Sequence, residues 1–500
     1  MIINQVVGGG GLKTPSNGKE LTGVSFASSL QKGDFVTTSS GQLAMPGVGV
    51  DFRPGNANED YHTSSNCYFL YNNTKYPSLG SCWLTPTTGF GICKVEGTSK
   101  PYTQTVLFYK STFTDKMTVE WSATPVLSLS LENSCGTGIL GLAPVDDEYF
   151  LLVYSTGVNN YYTVDANQWA IRTLKWDGTQ LVQTSNWIGG KNSIYLPLSW
   201  TAGANAIKGS YLYHSSNGNV YLCLCSYFPD GENSQSSWSS ARKFYLFTLS
   251  NTGVVQSFHE AYFDVTSYSY DFNMITMGVD EKNDKVYICM YYYGGTHLGT
   301  FISSYDIKTK TMTNMGYNDK DTNPKTLTQG RLFYIKDKFL YRFFKGTDSN
   351  FYFGVYNYTP STTLDLSSPV ASISITPPNG VNSVECYGIY IEDNEHIYCL
   401  MANFEYYNSG TTGTTKTGGA IYLYQYSFNG TQITQIGAPL LLCETARFVS
   451  SILVNTKKIN DAFVLNSYYL NTKIHFIPPE TTSVLGIKKN DTTAIVVAKE

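Results

Sequence analysis

Short apolar and aromatic runs bounded by polar turn residues recur through most of the chain, and one phrase repeats with particular clarity. Asn217-Gly218-Asn219 leads into Val220-Tyr221-Leu222-Cys223-Leu224. Lys282-Asn283-Asp284-Lys285 leads into Val286-Tyr287-Ile288-Cys289-Met290, and Asp393-Asn394-Glu395-His396 into Ile397-Tyr398-Cys399-Leu400-Met401. Looser copies begin at Tyr149, Phe339 and Ala462. Each reads as a tight polar turn followed by a strand of about five residues. A second phrase follows most copies: Ala170 to Trp176, the turn Asp177-Gly178-Thr179, then Gln180-Leu181-Val182. Phe244 to Leu249 with Asn251-Thr252-Gly253, and Ile421 to Tyr426 with Asn429-Gly430-Thr431, repeat it. These are hairpins in which Asn, Asp and Gly supply the positive-φ positions of a short turn.

The first phrase starts near 149, 220, 286, 339, 397 and 462, a spacing of 53 to 71 residues. Two hairpins per step make a four-stranded meander, and meanders stacked radially make a β-propeller. Val106-Leu107-Phe108-Tyr109 opens a further unit on this reading, so the pattern predicts an all-β, six- or seven-bladed β-propeller over 61–477. A string of β-sandwiches would also show strands at short intervals, but not one phrase at blade-like spacing. The ends depart from the repeat. Residues 1–60 hold a glycine-rich arm and short β segments around Phe35 and Leu43, and 478–500 hold Ser483 to Ile487 and Ala494 to Val497. Each end is too small to fold alone, so the two are expected to pair as one small β module from which the propeller is an insertion.

Composition sharpens this. Charged residues are 14% of the chain and aromatic residues 15%, with 40 Tyr. A chain poor in Glu, Lys and Arg and rich in Tyr, Ser, Thr, Asn and Gly favours strands and turns over helices. A net charge of −4 offers no basic footprint for nucleic acid and no polybasic membrane patch. No apolar run approaches the roughly 18–20 residues that span a bilayer, so no membrane insertion is expected. Met1 to Gly11 lacks the basic and continuous apolar regions of a secretory signal. Cysteines within strand runs, such as Cys223, Cys225, Cys289 and Cys399, read as buried thiols of a protein made in a cytosol.

Catalytic and ligand motifs are sparse. Gly8 to Thr14 resembles a phosphate loop but lacks Gly before Lys13, and Asp319 to Asn323 resembles a calcium loop but meets Pro324 where the turn glycine belongs. The six arginines, Arg53, Arg172, Arg242, Arg331, Arg342 and Arg447, are few for a sialidase-type site, and the six histidines stand far apart. The sequence therefore predicts no enzyme, no metal and no cofactor. The better candidates are aromatic clusters expected in loops: Tyr161-Tyr162 after Asn159-Asn160, Tyr291-Tyr292-Tyr293 before Gly294, and Tyr406-Tyr407 before Asn408. Tyrosine among Asn, Ser and Gly is the composition of a binding loop, in which flat rings stack on a ligand and amides bond its hydroxyls.

Lys32-Gly33-Asp34-Phe35-Val36 resembles the opening of small β modules in decoration and fibre proteins of tailed bacteriophages. Val484 to Ile487 with Thr492 to Val497 resembles their closing hairpin, with Lys488 where Ala is usual and Thr493 where Gly is usual. The resemblance implies a structural virion protein assembled in the host bacterial cytoplasm, in several copies or as a homo-oligomer. Its termini would attach to other virion proteins, and its propeller would meet a bacterial surface glycan or protein receptor. A head fibre or capsid decoration protein is the alternative within that class. A polysaccharide-degrading propeller glycosidase, or a scaffold joining other virion proteins, is the alternative outside it.

Overall fold

Every regular element among the described residues of the computed structural model is a β-strand. The structure describes Glu20–Thr22, Phe35–Ser39, Gln42–Ala44, Gly49–Asp51, most of residues 68–475, and Leu485–Asn490 with Thr493–Ala498. Between residues 74 and 475 the described strands form seven antiparallel sheets in chain order. The second is representative: Gly138–Pro144, Tyr149–Thr156, Gln168–Trp176 and Leu181–Lys191 pair each with the next. The repeated phrase is the second strand of a sheet, and the hairpin phrase is its third and fourth strands.

Burial explains the two kinds of strand pattern. Phe150 to Tyr154 are all 0% exposed, because a middle strand is covered on both faces by neighbouring sheets and so reads as a continuous apolar run. The outer strands Leu127–Leu131 and Ala371–Ile375 alternate between exposed serines and half-buried apolar residues, with one face in water.

The first strands of the sheets are Thr74–Trp83, Gly138–Pro144, Ile207–His214, Met274–Asp280, Phe333–Lys336, Ser383–Ile391 and Thr456–Ile459. Gly138–Pro144 packs on Thr74–Trp83. The chain of contacts from Ile207–His214 then runs strand to strand as far as Thr456–Ile459, and Ala462–Asn466 returns to Thr74–Trp83. The result is a ring of sheets, a β-propeller. Its core is divided among the wedges between sheets. Between the second and third sheets, for example, Leu151, Val153, Trp169 and Ile171 meet Val220, Leu222, Tyr245 and Phe247.

The first strands carry a signature of their own. In four of them the register slips by one residue just before a glycine: Leu79-Gly80, Leu140-Gly141, Lys208-Gly209 and Tyr387-Gly388. An extra residue of this kind raises local twist, which a strand at the crowded centre of a ring requires.

Two expectations need correction. Val106 to Tyr109 opens no sheet, but lies within Gln104–Phe113, the third strand of the first sheet. The second strand there is Thr88–Glu96, which follows a Thr-Pro-Thr-Thr turn rather than an Asn/Asp one. Gly49–Asp51, assigned from the sequence to the terminal module, is instead the fourth strand of the seventh sheet, pairing with Lys473 to His475. The last sheet thus takes its outer strand from the N-terminal side of the chain. The remaining terminal segments form one five-stranded sheet in the order Glu20–Thr22, Thr493–Ala498, Leu485–Asn490, Phe35–Ser39, Gln42–Ala44.

Candidate functional site at the mouths of the propeller

Because successive strands of a sheet run in opposite directions, the first-to-second and third-to-fourth turns lie at one mouth of the ring. The second-to-third hairpins and the links between sheets lie at the other. The two mouths differ in construction.

At the first mouth most of the turns are short and closed by hydrogen bonds; the third-to-fourth connections of the first and fifth sheets, residues 114–126 and 358–370, are longer. The turns of the third and fourth sheets form a polar clasp across three sheets. Asp284, 1% exposed, accepts Ser215 Oγ at 2.7 Å and Tyr213 OH at 3.1 Å on Oδ1, both from the third sheet. Its Oδ2 accepts Asn217 Nδ2 at 3.4 Å. Asp280 holds its own turn through Asn283, whose backbone N donates to Oδ1 at 3.2 Å and whose Nδ2 donates to Oδ2 at 2.7 Å. It also reaches the fifth sheet, where Tyr358 OH donates to Oδ2 at 2.5 Å and lies 3.0 Å from Tyr287 OH. All four carboxylate oxygens are engaged, and the pair ties the third, fourth and fifth sheets together.

Electrostatics at the clasp follow from burial. Burial first, then Asp280, pushes the Tyr358 phenol far above the usual tyrosine range, and burial does the same to Tyr213. Burial also raises the carboxyl of Glu281, against the hydrogen bond from Tyr211 OH at 3.1 Å. Among the described residues no group of three or more His, Cys, Asp or Glu is placed to hold a metal ion.

The second mouth carries projecting hairpins. In the fourth sheet the first strand stops at Met274, opposite Tyr291, and the fourth stops at Asn318, opposite Thr300. Among the described residues the pairs Tyr292–Gly299, Tyr293–Leu298 and Gly294–His297 therefore extend beyond both flanking strands as a two-stranded arm. In the sixth sheet the first strand stops at Ser383, opposite Phe404. The pairs from Glu405–Thr417 to Ser409–Gly413 project in the same way and include Tyr406–Lys416 and Tyr407–Thr415. The sequence placed these tyrosines in loops; the structure places them on strands. Consecutive tyrosines have high strand preference, and they prolong the hairpin arms instead of ending them. Tyr161 and Tyr162 lie outside the described residues.

A third arm was not anticipated. Tyr68–Tyr71 pairs with Thr74 to Pro77 ahead of the first sheet, around a turn at Asn72 and Asn73 with φ of 48° and 61°. Two successive positive-φ residues make the kind of turn that suits the twist of a hairpin. The rings of Tyr71 and Tyr76 lie 6.5 Å apart at 58° beside Cys93, Leu107 and Tyr109. The Asn-Asn pair between two Tyr-bearing runs was the signal for it.

The chain passes between the propeller and the terminal sheet from the mouth opposite these arms. Its links to the propeller, residues 45–48 and 476–484, begin at Gly49 and His475. Those two residues pair with each other at the third-to-fourth end of the seventh sheet, which belongs to the short-turn mouth.

No family model matches the chain, and no curated protein sequence matches it. Solved structures similar to it include the following, all at low identity. The β-propeller domain of the trilobed protease from Pyrococcus furiosus is 10% identical, with 80% of this chain and 95% of that one covered and a TM-score of 0.35. An α-L-arabinofuranosidase from Fusarium graminearum is 11% identical over 74% of this chain and 95% of that one, with a TM-score of 0.35. A levansucrase from B. megaterium is 10% identical over 86% of this chain and 94% of that one, with a TM-score of 0.31.

Proposed function

We propose that this protein is a non-enzymatic structural component of a tailed-phage particle, attached through its terminal sheet and presenting its propeller to the host cell surface. We read the seven sheets as seven blades. One observation carries the proposal: the links to the terminal sheet leave by the short-turn mouth, whereas the tyrosine-bearing arms project from the other. A protein fixed to a particle by one end and binding with the other needs that polarity. Stacking and hydrogen-bond contacts from several arms are individually weak, and many copies on one particle would multiply them into firm attachment. The ligand class is a surface glycan or protein receptor, met by Tyr291, Tyr292, Tyr293, Tyr406 and Tyr407 and by the Tyr71–Tyr76 arm. Immunogold microscopy of phage particles with antibody to the propeller tests this. Gold at the tail tip is the expected result. Gold around the head assigns the protein to decoration, and particles without gold overturn the virion reading.

A further inference from the structure

Two turns of the propeller share one geometry and the residues Gly-Thr-Gln, and their capping side chains differ in one heavy atom, an Asp oxygen where the other has an Asn nitrogen. Trp176-Asp177-Gly178-Thr179-Gln180 and Phe428-Asn429-Gly430-Thr431-Gln432 both join a third strand to a fourth. Asp177 Oδ1 accepts Thr179 N at 2.8 Å, Thr179 Oγ1 at 2.7 Å and Gln180 N at 2.8 Å. Asn429 Oδ1 accepts Thr431 N at 3.0 Å, Thr431 Oγ1 at 3.1 Å and Gln432 N at 2.8 Å. The backbone closes both alike, Asp177 N to Gln180 O at 3.2 Å and Asn429 N to Gln432 O at 3.1 Å. The turn at 177 shows that this geometry holds a carboxylate, whose acidity its three donors strengthen.

We propose that Asn429 is a deamidation site that the fold tolerates, converting to aspartate in the native protein, whereas the other Asn-Gly pair in a described turn, Asn217-Gly218, is protected. In this reaction the backbone N of Gly430 bonds to Cγ of Asn429 and gives its proton to solvent. The Cγ–Nδ2 bond breaks, nitrogen leaves as ammonia, and water opens the resulting succinimide to aspartate or isoaspartate. Asn429 suits it. Both asparagines are exposed, and a Cβ at Gly430 or at Gly218 would meet nothing within 4 Å, so the side-chain hydrogen bonds separate them: at Asn429 three donors face the oxygen on which negative charge develops. Asn217 does not suit it. Its Nδ2 donates to Tyr221 OH at 3.0 Å and to Asp284 Oδ2 at 3.4 Å, so the leaving nitrogen is held and a new carboxylate would face the buried Asp284. Deamidation at 429 adds one negative charge at the mouth from which the chain passes to the terminal sheet.

The test is peptide mass spectrometry of the intact protein incubated natively at pH 8 and 37 °C, beside the same chain in denaturant. In denaturant the two Asn-Gly pairs should react at similar rates. In the native protein Asn429 should convert at least about tenfold faster than Asn217, following the differences in tethering. Asn429→Asp should melt within about 1 °C of the parent, and Asn217→Asp several degrees lower. Equal native rates at the two sites, or an Asn429→Asp variant that melts below Asn217→Asp, overturn the proposal.

Discussion

Tyr426 and Tyr358 are both buried phenols, and they sit at opposite ends of the range of hydrogen-bond satisfaction. Tyr426 is 0% exposed between the fifth and sixth sheets, stacked on Phe353 at 5.0 Å and on Tyr424 at 6.2 Å, and its hydroxyl meets no hydrogen-bond partner among the described residues. Tyr358 OH donates to Asp280 and contacts Tyr287 OH. An unsatisfied buried hydroxyl costs about 1–3 kcal/mol, and removing one member of a satisfied pair orphans the other at a similar cost. Tyr426→Phe should therefore leave the melting temperature unchanged or raise it, while Tyr358→Phe should lower it by several degrees. Parallel thermal melts decide this, and a drop for Tyr426→Phe equal to that for Tyr358→Phe would contradict the account. Tyr426 owes its place to ring packing alone, so the strand phrase Tyr422-Leu423-Tyr424-Gln425-Tyr426 could be read correctly as core without any knowledge of its hydroxyls.

At the scale of elements, the turns do more than reverse the chain, because some dock on the next sheet. Gly253 closes a hairpin of the third sheet at φ 76°, and its carbonyl accepts Thr173 Oγ1 of the second sheet at 2.7 Å. A Cβ there would stand 3.0 Å from Thr173 Cγ2 and 3.1 Å from both Leu151 Cδ2 and Val145 Cγ2. Gly178 has φ 97° and open space around it. Gly178→Ala should cost only the left-handed strain, about 1–2 kcal/mol. Gly253→Ala adds overpacking of about 1–3 kcal/mol, and urea titration should separate the two variants in that order. Hairpins of this kind were legible because Asp-Gly and Asn-Gly turns interrupt apolar runs at regular intervals. The first sheet was not, because its leading turn is held by a threonine, Thr88 N donating to Thr85 Oγ1 at 3.0 Å, and no Asn or Asp announces it. Gly49–Asp51 was missed because a three-residue strand gains its identity from a partner hundreds of residues away. The tyrosine arms were found as clusters but not as strands, since local sequence does not say how far a hairpin outruns its sheet.

For the whole molecule, stability is shared among wedges between sheets, and phenols are buried in several of them. Burial holds the phenols of Tyr287 and Tyr305 above their ordinary range and pushes Tyr341 up to about 12. A phenol whose folded pKa exceeds its unfolded value stabilises the fold fully below pH 10, and that contribution is lost as pH rises toward the folded value. The propeller should unfold cooperatively between about pH 10 and 12, with tyrosinate absorbance from these phenols and loss of far-ultraviolet strand signal rising together. Solvent-exposed tyrosines ionise first, near pH 10, so the decisive signal is the later rise from the buried phenols; a complete tyrosinate signal reached while the strand signal is intact would show these phenols to be open to solvent. Closure of the ring makes the last prediction. Sheets that contact only their neighbours depend on every junction, and the seventh lacks a fourth strand without Gly49–Asp51. A chain truncated to begin at residue 46 loses Glu20–Thr22, Phe35–Ser39 and Gln42–Ala44 but keeps the closing strand; one that begins at residue 56 loses both. The first should melt close to the full chain, because it keeps Gly49–Asp51 paired on the edge of Asn471–His475. The second leaves the edge of Asn471–His475 unpaired and should melt lower, with a tendency to associate through that edge. Equal melting of the two truncated chains would mean that the ring is held by packing between first strands alone, and that the strand borrowed from the N-terminal side adds nothing to closure.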